Sequence, residues 1–381
     1  MKNLCSLFLL WCSLLSVQAA SLPTPPQLAV KAYVLYDYNS SQIIVSQNGN
    51  ARMPPASLTK LMTAYLTFDA LQHDTLSLKQ ILTVPQAAVS IAPGESRMLL
   101  TAGQEVSVDD LLHGLIVQSG NDAAITLALN IAGSEIGFVD MMNKEALRLG
   151  MINTHFTNPA GLPDSQHYSS AADLAILSAA IVRDYPQYYP MFAQREFSFN
   201  NVKQANRNRL LWLDPYADGI KTGHTESAGF CLAGSAKRGD HRLIAVLFGA
   251  DSDSLRATES QKLLNYGFQN FDAVRLYKKD QPVGEVKVWK GTSSYVELGF
   301  RQDMFLTIPK GMQNQLKATL ETSQPIFAPL SGGQRMGMLR LTLVGKPYAE
   351  FPVVALDSVS LANVFARGWD SIRLFFQSLT I

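Results

Sequence analysis

Three short motifs hold side chains that together suit acyl transfer: Ser57-Leu58-Thr59-Lys60, Ser119-Gly120-Asn121 and Lys221-Thr222-Gly223. A serine hydroxyl is a weak nucleophile until a neighbouring base takes its proton. Positions i and i+3 share one face of a helix, so a helix across Ser57 and Lys60 sets an amine beside the Ser57 oxygen. A lysine acts as a base only when its pKa falls, which burial and nearby positive charge both achieve. Lys221, expected on a strand edge beside the same pocket, is the cation read as supplying that charge. The free N–H groups at the helix start face any negative charge that develops there.

The other two motifs supply what a nucleophile and base lack. Gly120 lets the chain turn between two helices, so that Ser119 can relay a proton to a leaving amine and Asn121 can hold a substrate's backbone amide. Lys221 and Thr222 suit a substrate carboxylate, and Gly223 lets a peptide backbone lie close to the strand. The backbone N–H of His224, paired with that of Ser57, can form an oxyanion hole. Taken singly the motifs are weak. Roughly one Ser-x-x-Lys is expected by chance in a chain of this length. Serine and asparagine are ordinary turn and cap residues. The ordered set of three carries the reading.

The surrounding pattern supplies the elements. Ala32 to Asp37 and Ile43 to Gln47 read as a strand pair, Pro54-Pro55-Ala56 stops it, and Ser57 opens a buried helix to about Leu71. Helical stretches follow at Val108 to Gln118, Ala123 to Ala132, Ile136 to Leu149 and Ala171 to Asp184. From Phe197 the period falls to two, through Phe230 to Ala233 and Leu243 to Leu247, before a helix at Glu259 to Phe268. Strands at both ends with helices between imply one α/β (α+β) unit, whose sheet joins N- and C-terminal strands.

Beyond Phe271, short alternating runs separated by Gly, Pro and Asp predict a small all-β module. From Ser360, Leu361, Val364, Phe365, Ile372, Phe376 and Leu379 recur at helical spacing, flanked by Trp369 and Phe375. This tail is too short and too charged to span comfortably, so it is expected to lie on a membrane surface. The alternative is a helix packed on its own domain.

At the other end, Lys2, the apolar run Leu4 to Val17 and Val17-Gln18-Ala19 read as a cleaved secretory signal peptide. Cleavage is expected after Ala19, or else after Ala20. Cys5 and Cys12 leave with it, so the mature chain keeps Cys231 alone, read as a small buried hydrophobe. An exported chain without disulfides suits a bacterial periplasm. The expected division is 1–19 signal peptide, 20–271 catalytic domain, 272–357 all-β domain and 358–381 amphipathic helix. With a formal net charge of +1 and no basic patch, nucleic acid is excluded as a partner. No histidine pair has metal-ligand spacing, and neither metal nor cofactor is implied.

At these motifs the chain resembles the low-molecular-mass penicillin-binding proteins that act as D-alanyl-D-alanine carboxypeptidases, serine peptidases of the penicillin-recognising fold. The resemblance covers nearly the whole mature chain. It includes Pro55 to Lys60, Ser119 to Ala123, Asn206-Arg207-Asn208 and Gly219 to Thr225, then the β module and the tail. It implies that Ser57 is acylated, that Lys60, Ser119, Asn121, Lys221, Thr222 and His224 line the pocket, and that Arg207 and Arg256 lie near the substrate's terminal carboxylate. It also implies peptidoglycan stem pentapeptides as substrate and β-lactams as inhibitors, while the two ends of the chain place that chemistry at the outer face of the inner membrane. One departure stands out: several relatives carry histidine where this chain has Ala160 before Gly161-Leu162, which puts that residue's part in deacylation in doubt.

Two other readings use the same residues. A serine β-lactamase of one class needs a glutamate placed as Glu196 is relative to Asn200, although Glu196 to Asn200 alternates like a strand. A non-catalytic wall-binding scaffold could keep the fold, although all three motifs are intact.

Overall fold

A computed structural model of the protein describes residues 23–92 and 94–378; the signal peptide expected at 1–19 and Leu379 lie outside them. β1 (Ala32–Asp37) is buried at every position, and such a strand needs cover on both faces. It forms a hairpin with β2 (Gln42–Gln47). A tight 3-10 turn over Ala56–Thr59 then runs directly into α1 (Lys60–Gln72), which is buried at every position from Lys60 to Phe68 and surfaces only in its last turn. The helix expected to open at Ser57 therefore begins with one overwound turn. β3 (Ile81–Thr83) and β4 (Glu105–Ser107) pair around the short α2 (Gln86–Val89). That hairpin was not anticipated, because three-residue strands are too short to show a period.

α3 (Val108–His113) continues into a wide π-type turn at Gly114–Gln118, followed by α4 (Asn121–Ala132), α5 (Glu135–Leu149) and α6 (Ala171–Asp184). Serine caps fix several starts. Ser107, Ser134 and Ser170 each accept a backbone N–H three residues ahead. The hairpin β5 (Glu196–Phe199) and β6 (Val202–Ala205) precedes the one-turn α7 (Leu210–Leu213). Three long strands follow, β7 (Ala217–Thr225), β8 (Gly229–Arg238) and β9 (His241–Ala250), then α8 (Asp253–Asn270). α8 starts six residues before the expected Glu259, because Ser252 caps Leu255 N–H.

The main sheet has the order β2-β1-β9-β8-β7, antiparallel throughout, so β9 is its central strand, β1 lies between β9 and β2, and β2 and β7 form the two edges. Alternate side chains serve two cores. Tyr33, Leu35, Leu243 and Leu247 face Leu263 and Leu264 of α8, while Val34, Ile244, Val246 and Cys231 face the helical half. Cys231 is the buried hydrophobe expected, with burial pushing its thiol up to about 11.

The C-terminal module comprises β10 (Phe271–Tyr277), β11 (Pro282–Trp289), β12 (Tyr295–Gly299), β13 (Met304–Pro309), β14 (Leu316–Thr322), β15 (Ile326–Phe327), β16 (Arg335–Leu343) and β17 (Lys346–Ala355). β17 was not anticipated, since Pro347 and Pro352 disguise it as loop. The module docks on the β1–β2 turn through buried Asp37, which accepts from Thr307 Oγ1 at 2.7 Å and from Asn39 N at 2.8 Å. The chain thus has a mixed α/β domain, an all-β domain and a final helix, α9 (Val364–Ser378). Among the described residues, no single helix is long and apolar enough to cross a membrane.

Candidate active site

Ser57 sits on the 3-10 turn and Lys60 opens α1, so the i, i+3 spacing places Lys60 Nζ 2.9 Å from Ser57 Oγ. Lys60 is 1% exposed, and its amine also donates to Asn121 Oδ1 and to the Ala160 carbonyl, each at 2.7 Å. Burial brings its pKa down to about 7, helped by Arg207 and opposed by Asp122 and Glu95. At that value a large share of Lys60 is neutral near pH 7. The neutral amine has two hydrogens for Asn121 and Ala160, which leaves its lone pair facing the Ser57 hydroxyl. That is the geometry of a general base.

Two cations bear on this amine: Arg207 lowers its pKa alongside burial, and Lys221, the cation expected there, shares a mutual repulsion with it. Lys221 is itself buried, and its pKa is driven well below the ordinary value by burial and then by Lys60, Arg207 and Arg256. Its Nζ rests on the Thr222 carbonyl at 3.2 Å.

The loop that carries Ala160 is held from three directions. Asn158 Oδ1 accepts from the backbone N–H groups of Ala160, Gly161 and Leu162. Thr63 Oγ1 donates to the Pro159 carbonyl. His167 Nε2 lies 2.7 Å from Thr59 Oγ1, while its Nδ1 accepts from Thr157 N–H at 3.0 Å. Gly161 has φ +83°, and a Cβ there would lie 1.8 Å from the Ala56 carbonyl oxygen, so only glycine lets this loop press on the nucleophile's turn.

Burial drives His167 down to about 4. Below pH 6.5 the unfolded chain takes a proton here that the folded chain refuses until about pH 4, so stability falls across that window as pH falls. The loss attributable to His167 is about 3 kcal/mol. His167→Gln should flatten the decline in denaturant midpoint between neutral pH and pH 4, and an unchanged slope would remove His167 as its cause.

The second motif lies between the π-type turn and α4. Ser119 adopts φ +65°, and its buried Oγ has no hydrogen-bond partner among the described residues. Asn121 bridges two charged groups, accepting from Lys60 and donating through Nδ2 to Glu95 Oε2 at 2.9 Å. On β7, Gly223 comes close enough to the nucleophile's turn that a Cβ would lie 3.0 Å from the Pro55 carbonyl oxygen. Arg256 is committed: it pairs with Asp253 and donates to the Gly223 carbonyl at 3.0 Å. Arg207 is exposed, and its guanidinium makes no hydrogen bond or ion pair among the described residues.

Ser57, Ser119, Asn121, Arg207, Thr222, Gly223, His224 and Arg256 line one cavity of about 600 Å³, with Glu95 and Ala160 on its walls. Lys60 and Lys221 lie behind that wall. Glu95 and Asn158 are isolated polar residues outside the three motifs in the sequence; Asp122 belongs to the Ser119 to Ala123 stretch without a role of its own there, and His167 reads only as a surface or packing residue. Glu196 is absent from the cavity; it sits on β5 and pairs with Lys203 at 2.5 Å. A second cavity, of about 550 Å³, shares Gly161, Leu162, Pro163 and Thr225 with the first.

The chain is similar to known proteins along both of its domains. The family model described as D-alanyl-D-alanine carboxypeptidase matches residues 18–252, and that for the C-terminal domain of penicillin-binding protein 5 matches 271–360. The D-alanyl-D-alanine carboxypeptidase DacA of Haemophilus influenzae is 41% identical over 93% of this chain and 92% of its own length. The crystal structure of penicillin-binding protein 5 from the same organism superposes with a TM-score of 0.85 at 41% identity, covering 89% of this chain and 99% of that one. Penicillin-binding protein D2 from Listeria monocytogenes, in its ampicillin-bound form, gives a TM-score of 0.59 at 29% identity, covering 65% of this chain and all of its own.

Proposed function

The chain belongs to the D-alanyl-D-alanine carboxypeptidase family, and we propose that it removes the last D-alanine from peptidoglycan stem pentapeptides through an acyl-enzyme on Ser57. The observation that carries this reading is the buried Lys60 amine, with its pKa near 7, set 2.9 Å from Ser57 Oγ. Neutral Lys60 takes the hydroxyl proton as Oγ attacks the carbonyl of the penultimate residue. The backbone N–H groups of Ser57 and His224 hold the oxyanion, and the proton taken by Lys60 passes through the Ser119 hydroxyl to the departing D-alanine amine, which leaves Lys60 neutral again. Asn121 orients the substrate amide, and Thr222 with Arg207 receives the terminal carboxylate. Lys221 acts electrostatically from behind the wall, while Arg256 keeps the β7 backbone in place through the Gly223 carbonyl.

Water then hydrolyses the ester. Ala160 contributes only its carbonyl, as an acceptor for Lys60, so Lys60 is the base beside the ester. A β-lactam acylates the same Ser57 oxygen, and the ampicillin-bound relative supports this. The second cavity gives the upstream part of the stem peptide room past Thr225. Glu196, paired with Lys203 outside the cavity, offers no base for rapid penicillin hydrolysis. Purified protein should release D-alanine from a pentapeptide ending in D-Ala-D-Ala; intact pentapeptide would favour a non-catalytic scaffold.

Residues 20–271 form the catalytic unit and 272–357 the all-β unit, and the tail 358–381 carries the membrane-surface helix α9, on a protein exported to the periplasm. Val364, Phe365, Trp369 and Ile372 are exposed, Phe365 by 90%, so the β module leaves this apolar stripe uncovered. The helix is tied to that module through Asp370, which accepts from Lys290 N–H at 2.7 Å. Deleting residues 358–381 should move the protein from the membrane to the soluble fraction with penicillin binding intact; continued attachment would sink the anchor.

A further inference from the structure

Glu95 stands on the cavity wall outside all three motifs, on a segment stapled to the start of α4. Asn121 N donates to the Ser96 carbonyl at 2.8 Å, and the Asp122 carboxylate accepts from Met98 N at 2.8 Å and Leu100 N at 3.1 Å. These bonds hold Glu95 Oε2 2.9 Å from Asn121 Nδ2. A carboxylate only accepts, so the atom facing it is the amide nitrogen and the other amide atom, facing Lys60, is the oxygen. We propose that Glu95 is a positioning residue for acylation: it locks the Asn121 amide so that Oδ1 holds Lys60 on Ser57 and the second Nδ2 hydrogen faces the substrate's carbonyl.

The lock matters because an amide is nearly symmetric in shape and opposite in polarity at its two ends. Turned over, Asn121 would face Lys60 with donors and the substrate's carbonyl with an acceptor, which are two mismatches in one enclosed site. Lys60 alone does not prevent that flip, since in its neutral form it can accept as well as donate. The charge on Glu95 has a second consequence. Lys60 is faced by Arg207 and Lys221 on one side and by Asp122 and Glu95 on the other, with Ser57, Asn121 and the Ala160 carbonyl completing its surroundings. Glu95 and Asp122 keep the amine from falling further below pH 7.

This inference rests on the roles of Ser57 and Lys60 given above. It is tested by acylation of the full-length protein with a fluorescent penicillin, followed across pH. In Glu95→Ala the high-pH plateau of the second-order rate constant should drop about tenfold, because the amide is no longer held. Its acidic limb should move to lower pH, because a carboxylate near Lys60 is gone. Glu95→Gln keeps an acceptor for Asn121, so its plateau should return to within about threefold of the parent while its limb stays shifted. Thermal melting checks that both variants fold. An unchanged plateau and limb in both variants, or normal acylation with only ester hydrolysis slowed, would overturn the lock. Failure of the parent protein to be labelled would instead sink the Ser57 assignment.

Discussion

Ser57→Ala is expected to lose covalent labelling by penicillin by at least about 10³-fold while the protein melts close to the parent temperature. The hydroxyl oxygen is placed to form the ester, with Lys60 Nζ 2.9 Å away and the cavity open in front of it. Its structural part is small. Among the described residues it takes part in one side-chain hydrogen bond, and the loss of one such bond costs on the order of 1 kcal/mol. Gel fluorescence after labelling and calorimetry read the two effects separately. Labelling retained in the folded variant contradicts the assignment of the nucleophile.

Lys60→Met is expected to slow acylation by roughly 10² to 10⁴-fold, the range that a general base supplies. The pH profile is the sharper test. Lys60 is a base only when neutral, so the parent rate should rise with pH through about 7, where its amine gives up the proton. The methionine variant should be slow at every pH and should lack that limb, because no amine remains to titrate. A limb that survives belongs to another group, and Lys60 would then be displaced from its role. Stability should also fall, since Asn121 Oδ1 and the Ala160 carbonyl each lose a buried donor, at about 1–3 kcal/mol apiece.

How much of this was legible in the chain follows from the range of each signal. Ser57 and Lys60 are three residues apart, so a helical turn alone brings them together. β1 is apolar at nearly every position, which marks a strand covered on both faces, and its burial is complete. Cys231 between Phe230 and Leu232 reads as core for the same reason. The two-state character of Lys60, by contrast, depends on residues far apart in sequence: Asn121, Ala160 and Arg207 meet it only after folding. Lys221 is legible as a cation near Lys60, whereas the part of Arg207 in lowering the Lys60 pKa has no local signal in the sequence. Arg256 reads as a substrate cation in sequence, yet folding commits it to Asp253 and the Gly223 carbonyl. Glu95 and His167 have no motif around them, and only their partners, Asn121 and Thr59, give them meaning.

The central claim is that one acyl-enzyme, on Ser57, serves both the peptide and the β-lactam. Mass spectrometry of the penicillin-treated protein after proteolysis tests it most directly, run beside D-alanine release from a pentapeptide. The account predicts a single penicilloyl adduct on the peptide containing Ser57, with D-alanine release lost in proportion to that adduct. An adduct on any other residue, or undiminished D-alanine release by fully acylated protein, would contradict it.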